Sequence, residues 1–205
     1  MAPPANPDTT ELLVRARSGD GAAVGSLLEV YRNQIALLLR VQVGPQLRTK
    51  IDVEDVVQET FLEAHRNIGR FAGQSRGELL VWLRQIAAGV LANQLRRYLG
   101  TKRRDVRLEQ SLIEGFDRSS AILDAGLIAQ GSSPSQRASR RELGILLANA
   151  LAALPPDYRE VIILRHLEDL PFPEVAQRMG RTLDSVKNLW VRALARLRRQ
   201  METYQ

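Results

Sequence analysis

The chain has 205 residues, 44% of them apolar, 5% aromatic and none of them cysteine, which suits one large domain or two small ones and excludes disulfides, thiolate catalysis and cysteine-ligated zinc. Lysine and arginine outnumber aspartate and glutamate by 29 to 23, for a formal charge of +6, a balance that favours a polyanionic partner, nucleic acid ahead of membrane. Good helix formers dominate and alternating β-branched runs are hard to find, so the expected fold is all-α. Residues 1–10 carry prolines and no apolar run, unlike a signal peptide, and the longest compact apolar run, residues 35–39, is too short to span a bilayer; a cytoplasmic protein with no membrane partner is expected.

In chain order, residues 1–7 read as a frayed tail. Asp8 and Glu11 have capping-box spacing, and Leu12, Leu13 and Ala16 begin a short helix that Gly19 stops. Asp20 caps a second helix reaching about Arg40, with Val24, Leu27, Leu28, Tyr31, Ile35 and Leu38 at helical spacing, and Gly44-Pro45 breaks the chain. Asp52 caps a third helix to about Ile68. After a loop marked by Gly69 and Gly73, a fourth runs from about Gly77 to Leu99 on a stripe of Leu79, Leu83, Ile86, Val90 and Leu95. These four helices form a first domain over residues 8–100.

Residues 101–135 open on the basic run Lys102-Arg103-Arg104 and are interrupted by Gly115, Gly126, Gly131 and the segment Ser132-Ser133-Pro134-Ser135. They also hold Leu112, Ile113, Phe116, Ile122, Leu123, Leu127 and Ile128, more apolar surface than a disordered linker usually carries. The expectation is a flexible linker that lies on a surface, with short helices at most. A second small domain, residues 136–202, begins with a helix capped by Ser135 and ended by Leu154-Pro155-Pro156. The next helix starts at Pro156 and carries Val161, Ile162, Leu164 and Leu167.

The last two helices, residues 173–179 and 183 to about 201, have the layout of a helix-turn-helix. Val175, Ala176 and Met179 face inward, Gly180 suits the helix C-terminus, and Thr182 can cap the second helix. Leu183, Val186, Trp190, Ala193 and Leu197 fall on one face of that helix. The opposite face carries Asp184, Lys187, Asn188, Val191, Arg192, Arg198 and Arg199, and from Arg181 to Arg199 there are six bases against one acid. Lysines and arginines suit phosphate, while Asn188 and a long arginine can reach base edges in the major groove. The candidate DNA-binding set is Arg181, Thr182, Asp184, Ser185, Lys187, Asn188, Val191 and Arg192. An amphipathic helix with a solvated charged face is the plainer reading, but it does not explain the Gly-x-Thr turn and the stripe before it.

The third helix is different in charge. Asp52, Glu54, Asp55, Glu59 and Glu63 stand in it without a base between them. Val53, Val57, Phe61, Ala64 and Ile68 make its buried stripe, leaving Asp55, Gln58, Glu59 and Leu62 outward. Such a face repels phosphate, and Leu62 gives it an apolar centre suited to a protein partner. Acids near a helix N-terminus also complement its dipole with no partner at all, and the residues alone leave both readings open. His65 and His166 are isolated and read as surface or packing residues. No nucleophile–base pair, metal cluster or phosphate-binding glycine loop stands out, so no catalytic residue, metal or cofactor is expected and the chain reads as no enzyme.

Taken together, the segments resemble the extracytoplasmic-function group of bacterial RNA polymerase sigma factors, in the sigma-70 family. The run from Asp52 to Ala64 is similar to that group's polymerase-docking helix, Trp82-Leu83-Arg84-Gln85-Ile86-Ala87 to the start of its promoter-melting helix, and Leu154-Pro155-Pro156-Asp157-Tyr158-Arg159-Glu160-Val161 with the helix-turn-helix to its second DNA-binding domain. The longer loop before Trp82 resembles planctomycete-type members. The resemblance implies that Asp52, Asp55, Gln58, Glu59 and Leu62 contact the clamp of the largest polymerase subunit, with the flap of the second subunit as a further contact. It implies that Arg84, Gln85, Asn93, Arg96 and Arg97 line the melting promoter element, and that the recognition helix reads the upstream element as duplex. Core RNA polymerase, promoter DNA and an anti-sigma factor are the partners it implies. The pattern departs from the family's at Val90, Asn93 and Leu189. The rival reading is a stand-alone helix-turn-helix regulator that binds duplex DNA as a dimer, for which the acidic helix has no role.

Overall fold

In the computed structural model, which describes residues 9–99, 106–125 and 136–202, every described element is helical. α1 (Thr9–Arg17), α2 (Gly21–Leu47), α3 (Val53–Asn67) and α4 (Arg76–Leu99) are followed by α5 (Val106–Ala125), then α6 (Gln136–Ala152), α7 (Pro156–Ile162), α8 (Phe172–Met179) and α9 (Leu183–Glu202). A 3-10 turn, Ile68–Arg70, continues α3, and a π turn, Ile163–Leu167, continues α7. The chain divides into two compact units, one up to Phe116 and the other from Asp117.

The first unit is built on α2. Its N-terminus is closed by Asp20, whose Oδ1 accepts the backbone N–H groups of Ala22 and Ala23 at 3.0 Å each. These backbone bonds, with the Arg15 guanidinium 2.7 Å from Oδ2, hold the Asp20 carboxyl below its ordinary pKa. Leu27, Tyr31, Ile35, Leu38 and Leu39 are fully buried along α2. Gly44 leaves the helical region at φ 60° and ψ 160°, a conformation open to glycine and almost closed to other residues. The break expected at Gly44-Pro45 is there, but helix persists on both sides of it, past the expected end near Arg40.

α3 packs against α2 and α4. Asp52 Oδ1 accepts the Glu54 N–H at 2.8 Å, and Val53, Val56, Val57, Thr60, Phe61 and Ala64 are buried. Arg32 of α2 lies 5.3 Å over the Phe61 ring and reaches Glu54 at 3.8 Å, so it clamps the acidic helix to its neighbour. α4 opens on a reciprocal cap absent from the sequence reading. Ser75 Oγ accepts the Glu78 N–H at 3.2 Å, while Glu78 Oε2 accepts the Ser75 and Gln74 N–H groups at 2.9 Å each. Phe71 meets Trp82 at 5.1 Å between ring centroids, closing the loop before α4.

The expectation of short helices at most over 101–135 is corrected by α5, which is 20 residues long. Leu112, Phe116, Ser119, Ser120 and Leu123 form its buried stripe. Gly115, read as an interruption, lies inside α5, where the end of the Gln42 side chain occupies the space a Cβ would take. Lys102-Arg103-Arg104, the glycines at 126 and 131 and the Ser135 cap lie outside the described residues.

In the second unit α9 packs on α6, α7 and α8. Leu151, Val161, Ile162, Ile163, Val186 and Ala193 are at most barely exposed and form the core. Arg159 of α7 ends α6 by donating from Nε to Leu151 O at 3.0 Å and from Nη2 to Ala152 O at 2.8 Å and Leu154 O at 3.1 Å. Leu183, placed by periodicity on the inner face of α9, is 38% exposed instead. It is the first residue of the helix and projects beyond the edge of the small core.

Candidate functional site

The outward face of α3 is as the helical spacing requires. Asp55, Gln58 and Leu62 are exposed and Glu59 is half-buried, with Leu62 57% exposed among acids. Asp52, grouped with them in the sequence reading, spends one carboxylate oxygen on the helix cap. Beside this face lies an open cleft of about 580 Å³ between α3 and α4, walled by Glu59 and Leu62 on one side and by Gln85, Gly89 and Asn93 on the other. Two sets of candidate residues assigned to different partners therefore share one cleft. Gln94 ties α4 to α3 beside it, donating from Nε2 to Glu59 Oε2 at 3.2 Å. Sequence reading missed Gln94, because its value depends on which side of α4 meets α3.

The α4 set is not gathered on one side of the helix: Gln85 and Asn93 line the cleft, while Arg84 stands nine residues before Asn93 and so on the opposite side. Gln85, Asn93 and Arg97 are exposed, whereas Arg84 and Arg96 are half-buried. Arg96 donates to Asn93 Oδ1, so these two act as a unit rather than as separate contacts. Tyr98 next to Arg97 is a further exposed aromatic that the sequence reading passed over.

The helix-turn-helix has the geometry its sequence implies. Gly180 adopts the left-handed conformation, φ 61° and ψ 34°, and Arg181 N–H donates back to Ala176 O at 3.0 Å. Thr182 Oγ1 accepts the Ser185 N–H at 3.3 Å and caps α9, and Ser185 itself is half-buried. Asp184, Lys187, Asn188, Val191 and Arg192 are exposed along one stripe, which Arg196, Arg198 and Arg199 continue. Val191 is 57% exposed, an apolar tip amid cations and suited to a thymine methyl. Arg181 is not a free cation, since it pairs with Asp157. Leu189, one of the positions at which the sequence departs from the family pattern it resembles, is half-buried at the margin of the stripe. His166, read as isolated, is instead bonded to Trp190 of α9: the indole Nε1–H donates to His166 Nε2 at 3.0 Å.

Among the described residues no group of three or more His, Asp or Glu is placed to hold a metal ion, and no helix is long and apolar enough to cross a membrane.

Comparison with known proteins matches residues 28–99 to the model of sigma-70 region 2 and residues 145–197 to that of sigma-70 region 4. The first range holds α3 and α4, the second holds α7, α8 and most of α9. The ECF RNA polymerase sigma factor BldN of Streptomyces coelicolor is 31% identical over 189 residues, 92% of this chain and 64% of that protein. This chain thus spans a little under two thirds of BldN's length. The ECF RNA polymerase sigma-E factor of Haemophilus influenzae is 30% identical over 183 residues, 89% of each chain. Among solved structures, the RsbN-BldN complex aligns at 26% identity over 91% of this chain and 97% of the other, with a TM-score of 0.32.

Proposed function

The chain belongs to the extracytoplasmic-function group of the sigma-70 family, and from that premise we propose which of its surfaces carry out initiation. It is a sigma factor, which binds core RNA polymerase and directs promoter recognition and transcription initiation. Asp55, Gln58, Glu59 and Leu62 dock on the clamp of the largest polymerase subunit, with Asp52 holding the helix N-terminus in shape. The observation that carries this is the pairing, in one chain, of an exposed acidic face with an apolar centre on α3 and an exposed basic stripe on α9.

Gln85, Asn93, Arg96 and Arg97, with Arg84 behind them, receive the melting element. Melting proceeds by holding unstacked bases of one strand while cations follow the backbone, and Tyr98 offers a stacking face for one of them. Lys187, Asn188, Val191 and Arg192 read the upstream element in duplex form, Asp184, Thr182 and Ser185 shape the helix start, and Arg181 reaches phosphate by exchanging Asp157 for it. The working domains are residues 8–100 and 136–202 with 101–135 between them, and the flap of the second polymerase subunit is the second docking point. The factor acts in the cytoplasm without catalysis of its own, is planctomycete-type by its loop before Trp82, and is held in check by an anti-sigma factor.

Run-off transcription with core polymerase tests the proposal. The wild-type chain is expected to direct specific transcripts, and Glu59→Lys to abolish them by lost core binding. No specific transcript from the wild-type chain and no effect of Glu59→Lys on polymerase binding, together with dimeric binding to a palindrome in the absence of polymerase, would instead establish a stand-alone regulator.

A further inference from the structure

Four side chains of the second unit make a closed set of contacts that neither the α3 face nor the basic stripe uses. Arg165 and His166 are neighbours on the π turn. The Arg165 guanidinium lies 5.4 Å over the ring of Phe172, at the start of α8. Phe172 meets Trp190 of α9 edge-on, with 5.4 Å between centroids and 80° between planes. Trp190 lies nearly parallel to His166, at 6.0 Å and 19°, and donates its indole N–H to His166 Nε2. The chain of contacts begins and ends on one turn and catches both helices of the helix-turn-helix. The π turn makes this possible, because its extra residue sets Arg165 and His166 half-buried while Ile163, Leu164 and Leu167 stay in the core.

We propose that His166 is a positioning residue for promoter reading, which fixes the roll of α9 by accepting the Trp190 indole N–H. The inference rests on the assignment of α9 as the reader of duplex DNA. An indole with its N–H free can settle in more than one rotamer, whereas one whose N–H is held at a fixed acceptor has one place to go. Lys187, Asn188, Val191 and Arg192 all stand within three residues of Trp190. Side-chain tips lie about 6 Å from a helix axis, so a roll of ~10° moves them ~1 Å, beyond the tolerance of a base-edge contact. Acceptance at Nε2 requires the neutral imidazole with its proton on Nδ1. Burial, reinforced by the adjacent Arg165 charge, opposes protonation and keeps the ring in that form, against a smaller opposing pull from Asp169.

A purely space-filling role and a positioning role predict different results for volume-matched replacements. The test is promoter affinity, core affinity and maximal run-off rate for holoenzymes carrying His166→Leu, His166→Gln, Trp190→Phe and the Leu/Phe pair. His166→Leu, which keeps bulk and loses the acceptor, is expected to weaken promoter affinity about five- to tenfold with core affinity and maximal rate unchanged. His166→Gln, whose Oε1 reaches the place of Nε2, is expected to stay within about twofold of wild type. Trp190→Phe alone should reproduce the His166→Leu loss, and adding His166→Leu to it should cost nothing more. Equal behaviour of the Leu and Gln variants, or a full additional loss in the pair, overturns the proposal. Should His166→Leu fail to fold, the Gln and Trp190→Phe variants decide alone: a Gln variant as weak as Trp190→Phe overturns it. A wild-type holoenzyme that selects no promoter would instead remove the reading on which the inference rests.

Discussion

At the scale of single residues, two side chains of the second unit do work that their sequence context hides. Arg159 looks like one more surface cation in a helix, yet its guanidinium donates to the carbonyls of Leu151, Ala152 and Leu154 at the end of α6, of which Leu151 O also accepts the Leu154 N–H. Arg159→Met keeps the stem and removes the donors, so it should destabilise the second unit by about 2 kcal/mol, read by chemical denaturation of the full chain. Arg159→Lys, with one point donor in place of a fork, should recover only part of this. His166 makes stability depend on pH. Burial, then Arg165, lower its pKa from the ordinary 6.5, with Asp169 opposing. The unfolded chain therefore takes up this proton at higher pH than the folded one. The stabilisation is complete above the ordinary value and is lost as the pH falls through the lowered one. Melting temperature should thus drop between about pH 7 and pH 5 in the wild type and drop less in His166→Gln. An identical slope in the two proteins would refute this.

At the scale of elements, local chemistry decides where helices begin and bend. Ser75 and Glu78 cap α4 reciprocally, so Ser75→Ala should cost about 1 kcal/mol in thermal or chemical unfolding. Gly44→Ala should cost about 2 kcal/mol, since φ 60° with ψ 160° is closed to a Cβ although the surrounding space is open. The second of these was legible in the Gly44-Pro45 pair; the first was not singled out, although Ser75-x-x-Glu78 is a local signal. Legibility followed the range of the interaction. Asp20, Asp52, Gly180 and Thr182 act on backbone groups a few residues away, and their roles could be read from spacing. α5 could not, because Gly115 counts against a helix that in fact continues through it. Nor could the Trp190–His166 bond, which joins residues 24 apart in the chain through a π turn that no periodicity announces. On α4, periodicity picked Leu79 and Leu83 correctly but could not show that Ile86 lines a cleft rather than the core. Within the candidate sites, the exposed stripe of α9 and the outward face of α3 were legible because each is a helical periodicity. Gln94 and the Arg181–Asp157 pair were not, because each needs a partner on another helix.

At the scale of the whole molecule, the acidic and the basic surfaces lie on different units. The acidic helix from Asp52 to Glu63 carries five acids and no base, while Arg181 to Arg199 carries six bases and one acid. A free chain therefore presents phosphate with one attractive stripe and one repulsive face. In the proposed division of labour, docking on polymerase covers the repulsive face and fixes the two DNA-facing helices on a common body. Two sites of ~10 µM each, joined at an effective concentration of ~1 mM, bind together at ~0.1 µM. The free chain should accordingly hold promoter duplex about a hundredfold more weakly than the holoenzyme in a titration at fixed salt. Glu59→Lys should remove the gain by abolishing docking, yet leave the weak binding of the free chain no lower than before, since it subtracts a repulsion. Lys187→Ala should act on the other term. It leaves core binding intact and flattens the dependence of log affinity on log salt by about one unit. If Glu59→Lys and Lys187→Ala changed the same quantity, docking and reading would not be separable functions of two helices, and the division of labour between α3 and α9 would be wrong.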